Sequence, residues 1–398
     1  MKVLQLHAGY RVPAGEDTVV ANEADALEAG GHDVRRHLVS NPTSLRDAVV
    51  SLGRSLHNNR AAAAVELEIA DFRPDIVHVH NTWFALSSSV VAAAARTGTP
   101  TVMTLHNYRL GCLSADLFRG DTVCTACVGR LPLAGVVHGC FRNSRILSAI
   151  AATEVTVTRS RRVLSDNVDR FVAPSRFMAD RLVDIGVPAE RLTVKPHFVS
   201  DPGARTQPPS ASNEILYIGR LAPGKGLDTL MRAWERLSSE QRRNGERPLR
   251  LSIIGDGPLA AELREGAPRG IQFEGWLPRN EVMRRLLNAR AFAFPSIWYE
   301  PFGMVLIEAL SAGLPIVTSD ASEASAIIGA PPELVVPVGN DGALATAMMR
   351  LSDAVVDEVG AANRRRYETN YTEDIGLTSL EELYTDVIAS SAHGSKKA

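Results

Sequence analysis

Short β-rich runs alternate with helical stretches along this chain in two successive series, with one break between them. The first series opens at "KVLQLH", followed by a helical pattern from about Thr18 to Ala29 that stops at Gly30 and Gly31. "DVRRHLV", "DIVHVH", "PTVMTLH", "RFVAPS" and "LTVKPHF" continue it, with alanine-rich helical stretches between several of them. The second series runs through "EILYIG", "LRLSIIG", "IQFEGW", "AFAFPS", "PIVTSD" and "LVVPVG", separated by helical spacers such as 227–240. Alternation of this kind predicts parallel sheets covered on both faces. The break, "VSDPGARTQPPSASN" at 199–213, has the Pro, Gly, Ser and Asn content of an exposed linker. The expected architecture is α/β, with two doubly wound, Rossmann-like domains, 1–198 and 214–370, facing a cleft. Ligands of such sheets bind beyond the carboxyl ends of the strands. Leu380, Leu383, Tyr384, Val387 and Ile388 follow helical spacing. Residues 371–390 therefore read as a last helix that could pack on either domain, the first included, and 391–398 as a disordered tail.

A length of 398 residues suits two domains, and 45% hydrophobic with 22% charged residues is ordinary for a globular chain. A net charge of −2 gives no reason to expect nucleic acid or an acidic membrane surface as the main partner. The N-terminal "MKVLQLHAGY" lacks the apolar segment and cleavage site of a signal peptide. No apolar run approaches the roughly 20 residues of a transmembrane helix, so the expected location is cytoplasmic.

The stretch "GRLAPGKG" is one residue short of a P-loop: Gly219, Gly224 and Lys225 are in place, but Gly226 stands where a hydroxyl would hold Mg²⁺. With "LSIIGD" ending in Asp256, it supports one reading as a nucleotide-binding or NTPase-type regulatory module. Lys225 also stands out because only five lysines occur in the chain, among 43 basic residues. A second segment, "PSIWYEPFGMVLIEALSAGLPIVTSD", reads as strand end, turn, helix, Gly stop and new strand. Pro301 fits a first helical turn, and Gly313 before Leu314-Pro315 fits a C-terminal stop. Backbone N–H groups of 302–306 would then face an anion at the helix start. Glu300, just before such a helix, and Glu308, inside it, would be separated by eight residues of helix, about 12 Å, too far to share a proton.

The E-x7-E from Glu300 to Glu308, with "EPFGMVLIEALSAGLPIV" around it, resembles the signature of the retaining glycosyltransferases of family 4, which have the GT-B fold. "YIGRLAPGKGLDTLMRAW", "IIGDGP" and "FEGWLPRNEV" match that family in order and spacing. In the first half, "AGEDTVVANEADALEAGGHDV", "PDIVHVHN" and "TVMTLHNYRLGC" are similar to a bacterial subgroup of it. The resemblance implies transfer of a hexose or N-acetylhexosamine from a nucleotide diphosphate sugar, UDP-linked before GDP-linked, to an acceptor hydroxyl. The setting would be polysaccharide, glycolipid or natural-product biosynthesis. Arg220 and Lys225 would neutralise the diphosphate without a divalent ion, in keeping with the lack of any D-x-D in the chain. Glu308 would hold the ribose hydroxyls and Glu300 the transferred sugar, near the reacting centre. Phe302, Gly303, Met304 and Val305 would offer backbone N–H groups, and Gly15, Gly219 and Gly255 would border the donor. Leu277 would line the base pocket or simply belong to the core. His106 would contact the donor sugar as a catalytic residue. Many members have Asp after this His, whereas here it is Asn107, and Ala14 stands where a Gly is common. Glu16 and Asp17 would either help select the acceptor or be exposed loop acids.

His78 and His80 fall on one face of their strand, a spacing that packing or cleft lining explains better than a metal pair. All four cysteines, Cys112, Cys124, Cys127 and Cys140, fall within one Gly-rich loop. Four thiolates could close a structural zinc site there, and buried thiols or a redox pair are the alternatives.

Overall fold

The computed structural model describes residues 1–9, 15–41, 58–83, 85–244 and 248–394. Its described residues gather into two compact units. One holds the chain through Leu117, Cys124–His197 and the segment from Glu373 on. The other holds Phe118–Val123 and Phe198–Thr372. Both sheets are parallel, and the fold is GT-B, as the solved structures compared below also show.

The first unit's sheet has the order β2-β1-β3-β4-β7-β8, from β1 (Lys2–Gly9), β2 (Asp33–Ser40), β3 (Ile76–Val79), β4 (Thr101–Thr104), β7 (Arg170–Ala173) and β8 (Leu192–Val194). Every residue of β3 and β4 is buried, as a parallel strand covered on both faces requires. Helix α1 (Gly15–Ala29) turns Val19, Val20, Ala24 and Leu27 inward. It starts three residues before the predicted Thr18 because Gly15, Glu16 and Asp17 already form its first turn. Helix α2 (Arg145–Ser160) is capped by the Ser144 hydroxyl, which accepts from the Leu147 N–H.

The second sheet has the order β11-β10-β9-β12-β13-β14. It is built from β9 (Glu214–Ile218), β10 (Arg250–Ile254), β11 (Ile271–Gly275), β12 (Ala291–Phe294), β13 (Ile316–Ser319) and β14 (Val335–Val336). Helix α3 (Leu227–Asn244) buries Leu230, Trp234 and Leu237 against one face, and α4 (Met304–Ser311) buries Leu306, Ile307 and Leu310 against the other. The short hairpin of β5 (Phe118–Arg119) and β6 (Thr122–Val123) belongs to this unit.

Strand order reverses between β1 and β3 in the first sheet and between β9 and β12 in the second. A crevice opens at such a switch point because neighbouring connections leave in opposite directions. Residues just past those four strands are therefore the ones to inspect.

Two expectations change and a third is refined. More than half of residues 199–213 are exposed, as their composition predicts, but Val199 and Pro209 are buried, and the Arg205 guanidinium donates to the carbonyls of Leu286, Ala289 and Ala312. These carbonyls close two helices, so a five-donor side chain satisfies what the helix ends leave open. Helix α4 begins at Met304, not at Pro301, because Gly303 takes a left-handed φ of 84° at the cap. Glu300 thus lies further before the helix, and the 12 Å estimate loses its premise. Its C-terminus matches expectation, with Leu314 N–H bonding to Ala309 O and Gly313 N–H to Leu310 O. Finally, α5 (Glu373–Gly394) continues through 391–394, where a tail was expected, while 395–398 lie outside the described residues. This helix belongs to the first unit, held by Glu381 to His32 at 2.7 Å and by buried Tyr384 to His78 at 2.7 Å.

Candidate active site

In the second unit the loop after β9 is fixed by backbone bonds to its neighbours. Gly219 N–H donates to Ile254 O, Leu221 N–H to Asp256 O, and Ile297 N–H to Gly224 O. Gly255 N–H in turn donates to Gly275 O at 2.7 Å. This threads "GRLAPGKG" between the ends of β10 and β12. A Cβ on Gly226 would lie 1.8 Å from the Pro295 carbonyl oxygen, and its φ is +71°. No serine or threonine fits there, so the P-loop reading has no place for its Mg²⁺-binding hydroxyl.

Lys225 Nζ donates to Glu300 Oε2 at 2.7 Å and lies 4.4 Å from the centre of the Trp298 ring. Trp298 Nε1 donates to the same carboxylate oxygen at 2.6 Å. Lys225 and Glu300 side chains are only 20% and 11% exposed, so their attraction is weakly screened. The structure thus brings together the cation of one motif and the first acid of the other. Arg220 is exposed at the end of β9, with its carbonyl near the Tyr217 hydroxyl. Burial, with the Glu300 charge adding to it, pushes that phenol well above its usual range, so Tyr217 remains a neutral donor.

Past β12, the N–H groups of Met304 and Val305 precede the first backbone bond of α4, whereas Leu306 already donates to Gly303 O. Open donors at the helix start are therefore fewer than the predicted 302–306. Phe302 is buried with Tyr371 edge-on at 6.2 Å. Glu308 sits on α4 with Arg279 Nη2 3.7 Å away. Burial raises its carboxyl above the ordinary value, and Arg279 opposes the rise. Leu277 is half-buried and packs against the core cluster around Leu306, the core role suggested for it.

In the first unit, His106 ends β4. Its Nε2 lies 3.1 Å from His80 Nδ1, and its ring stacks on His197 at 5.3 Å. Asn107 donates to Glu16 Oε1 at 2.8 Å, so Glu16, not the residue after the histidine, puts a negative charge near His106. Gly15 is the first residue of α1, and the loop before it, including Ala14, lies outside the described residues.

Behind His106 is a buried network that residue spacing did not reveal. Lys195 Nζ donates to Glu23 Oε1 at 2.9 Å, with both side chains at most 4% exposed. Glu23 Oε2 lies 3.6 Å from both His78 Nδ1 and His80 Nε2. The sequence signal was available: Glu23 is an acid in the inward stripe of Val19, Val20, Ala24 and Leu27, and Lys195 is one of the few lysines. Glu23, His78 and His80 are the one set of three or more ligand-type side chains converging within 4.8 Å among the described residues. The Lys195 ammonium already balances this carboxylate, so a divalent cation would meet a like charge at close range. The histidines are better explained as packing around an ion pair.

None of the four cysteines forms a disulfide, and no three of their sulfurs converge as ligands. Cys112 Sγ instead lies 3.2 Å from Ser114 Oγ, and Cys140 packs beside Leu113 and Phe141.

Burial lowers His78 to about 4 and holds His80, His106 and His197 below the usual imidazole range, with neighbouring positive groups adding to it. Folded imidazoles then refuse protons that the unfolded chain accepts. Their stabilisation is complete above about pH 6.5 and is lost as pH falls toward 4. The loss is up to about 1.4 kcal/mol per pH unit for each of the fully buried His78 and His80. Glu154, which burial pushes up to about 7, has the opposite slope: its contribution is full below about pH 4.5 and gone above 7. The melting temperature is thus expected to fall between pH 7 and 5, more steeply in Glu154→Gln. An acid-insensitive melting temperature in both proteins would contradict this.

Comparison with known proteins adds the following. The family described as Glycosyltransferase Family 4 matches residues 14–201, and that described as Glycosyl transferases group 1 matches residues 212–354. The amylovoran biosynthesis glycosyltransferase AmsK of Erwinia amylovora is 29% identical over 232 residues, 52% of this chain and 54% of the relative. A glycogen synthase of Mycobacterium tuberculosis is 27% identical over 304 residues, 74% of this chain and 63% of the relative. The match thus spans less than two thirds of each of these two relatives. Among solved structures, Anabaena Alr3699/HepE in complex with UDP and glucose superposes with a TM-score of 0.65 at 14% identity, over 97% of this chain and 99% of that one. At such identity the likeness is one of fold. Among the described residues, no helix is long and apolar enough to cross a membrane.

Proposed function

Because the chain belongs to the family 4 glycosyltransferases, we propose that it moves a hexose or N-acetylhexosamine from a UDP-linked donor to an acceptor hydroxyl, in polysaccharide, glycolipid or natural-product biosynthesis. The observation that carries this reading is the Lys225–Glu300–Trp298 group at the β9/β12 switch point, beside the start of α4. An ammonium, the exposed Arg220 and the positive end of a helix together suit a diphosphate. The Anabaena protein solved with UDP and glucose has the same fold, which favours uridine as the base.

In the proposed reaction the anomeric C–O bond to the β-phosphate breaks as a new C–O bond to the acceptor forms on the same face. Configuration is retained, and the acceptor's proton passes to the leaving phosphate oxygen. Lys225 and Arg220 hold the charge that develops there, which is the largest catalytic contribution such a site can make. Glu300, with its carboxylate fixed from two sides, positions the sugar hydroxyls. Glu308 takes the ribose hydroxyls, its carboxylate accepting their hydrogen bonds. His106, held neutral, contacts the donor sugar. No divalent ion is needed in this scheme.

The test is thermal stabilisation by a panel of nucleotide sugars with excess chelator present. UDP-hexoses are expected to raise the melting temperature equally with and without chelator. A shift seen only with added Mg²⁺ would favour a metal-dependent nucleotide module instead.

A further inference from the structure

Within the first unit lies a cavity of about 280 Å³. It is bounded by the ends of β3 and β4, by α2 and by the turn at Ile185–Pro188. Its walls are largely apolar, with Met103, Leu105, Val155, Leu164, Phe171 and Val187 among them. An engineered apolar cavity of about 150 Å³ holds a benzene molecule. This one is large enough for about two fused rings. His80 and His106 form part of its wall, so its contents reach the residue assigned above to the reacting centre.

Two acids line this space, Glu16 from α1 and Glu154 from α2, and Glu154 is the buried one, with 8% of its surface exposed. Glu154 Oε1 accepts a long hydrogen bond, 3.4 Å, from the Thr158 hydroxyl. The arginines around the cavity are engaged elsewhere. Arg109 Nη1 donates to Leu113 O, and its guanidinium lies 4.6 Å from the Trp83 ring centre. Arg159 donates to Arg130 O, and Arg162 pairs with Asp166. A ligand anion would face the carboxyl groups of Glu16 and Glu154. A ligand cation would meet Arg109. The chemistry left is that of an uncharged group able to share a hydrogen bond with a carboxyl.

We propose that this cavity seats the acceptor, an uncharged, hydroxyl-bearing ring compound of one to two rings, and that Glu154 selects it by hydrogen-bonding a ring hydroxyl. This rests on the transferase reading, because the acceptor's reacting hydroxyl would lie at the His106 wall. Burial pushes the Glu154 carboxyl up to about 7, so near neutrality it is populated both as donor and as acceptor and serves either sense of that bond. A largely apolar wall with a few placed polar groups is how small-molecule sites combine affinity with orientation.

Calorimetric binding to the full chain at pH 7, with no donor present, tests the assignment using 2-naphthol, naphthalene and 1-decanol. Wild type is expected to favour 2-naphthol over naphthalene by about tenfold, the worth of one buried hydrogen bond. Glu154→Leu should cut that preference to below about threefold while still binding both rings. Glu154→Gln, close in shape, should keep part of it. Val155→Trp, which fills the space, should weaken all three probes at least about tenfold, with its circular dichroism compared to wild type. Should that variant not fold, Ser165→Phe at the same wall takes its place. Equal binding of 2-naphthol and naphthalene to wild type, or no saturable binding of either, overturns the proposal. Tighter binding of 1-decanol than of 2-naphthol also overturns it, in favour of an alkyl-chain lipid acceptor. UDP titration in parallel separates the two readings. Probe failure with intact UDP binding refutes the cavity assignment alone. Probe binding without UDP binding upholds the cavity as a ring-binding site and refutes the uridine donor proposed above.

Discussion

Lys225→Ala is expected to lower turnover at saturating donor by at least ~10²-fold, the range found on removing one preorganised group that faces developing charge. The ammonium is held for this task. Glu300 fixes it at 2.7 Å and the Trp298 ring lies beneath it, so it reorganises little when the diphosphate begins to leave. The same contacts make Lys225→Arg a poor substitute, since a planar fork cannot occupy the place of a compact ammonium between a carboxylate and an indole face. The loss should fall mainly on turnover, because charge on the leaving phosphate is greater in the transition state than in the bound donor. Near wild-type turnover in Lys225→Ala would remove the residue from the mechanism and would weaken the assigned diphosphate position as a whole.

Much of this site could be read from the order of residues. Parallel strands announce themselves as short buried runs, and every strand named from the sequence is present at its place. The glycines around Lys225 also carried meaning, since Gly226 is dictated by the Pro295 carbonyl pressed against it. Other features could not be read because they depend on where distant segments meet. Arg205 looks like a linker residue until its guanidinium reaches carbonyls more than 80 positions away. Its neighbours Pro202, Gly203 and Pro208 are turn-formers by composition, yet composition does not say whether a turn faces water or a helix end. The start of α4 was misplaced for a local reason: Pro301 suits a first helical turn, but Gly303 in a left-handed cap overrides it two residues later.

The buried pair behind His106 gives the second large effect. Glu23 and Lys195 are 172 residues apart and meet with almost no solvent access. Burial is the largest single effect and would raise the Glu23 carboxyl, but Lys195, by charge and by hydrogen bond, together with His78 and His106 outweighs it, and the net shift is downward. The pair is therefore ionised in the folded protein. Glu23→Leu would leave an ammonium buried among imidazoles that burial keeps neutral, at a cost of about 3–5 kcal/mol to the first unit. Lys195→Met should cost a similar amount by stranding the carboxylate. The double replacement Glu23→Leu with Lys195→Met removes both charges and fills the space with apolar groups, and it should recover most of the loss. Denaturant unfolding of the four proteins checks this, with the first unit followed by hydrogen exchange at β1 and β3. A single-variant cost below about 1 kcal/mol, or a double variant no better than the sum of the two singles, would mean that the charges do not interact as described. Recovered stability with poor turnover in the double variant would show a second role. His80 lies 3.6 Å from Glu23 and 3.1 Å from His106, so removing the carboxylate takes away the negative charge beside the ring that meets His106.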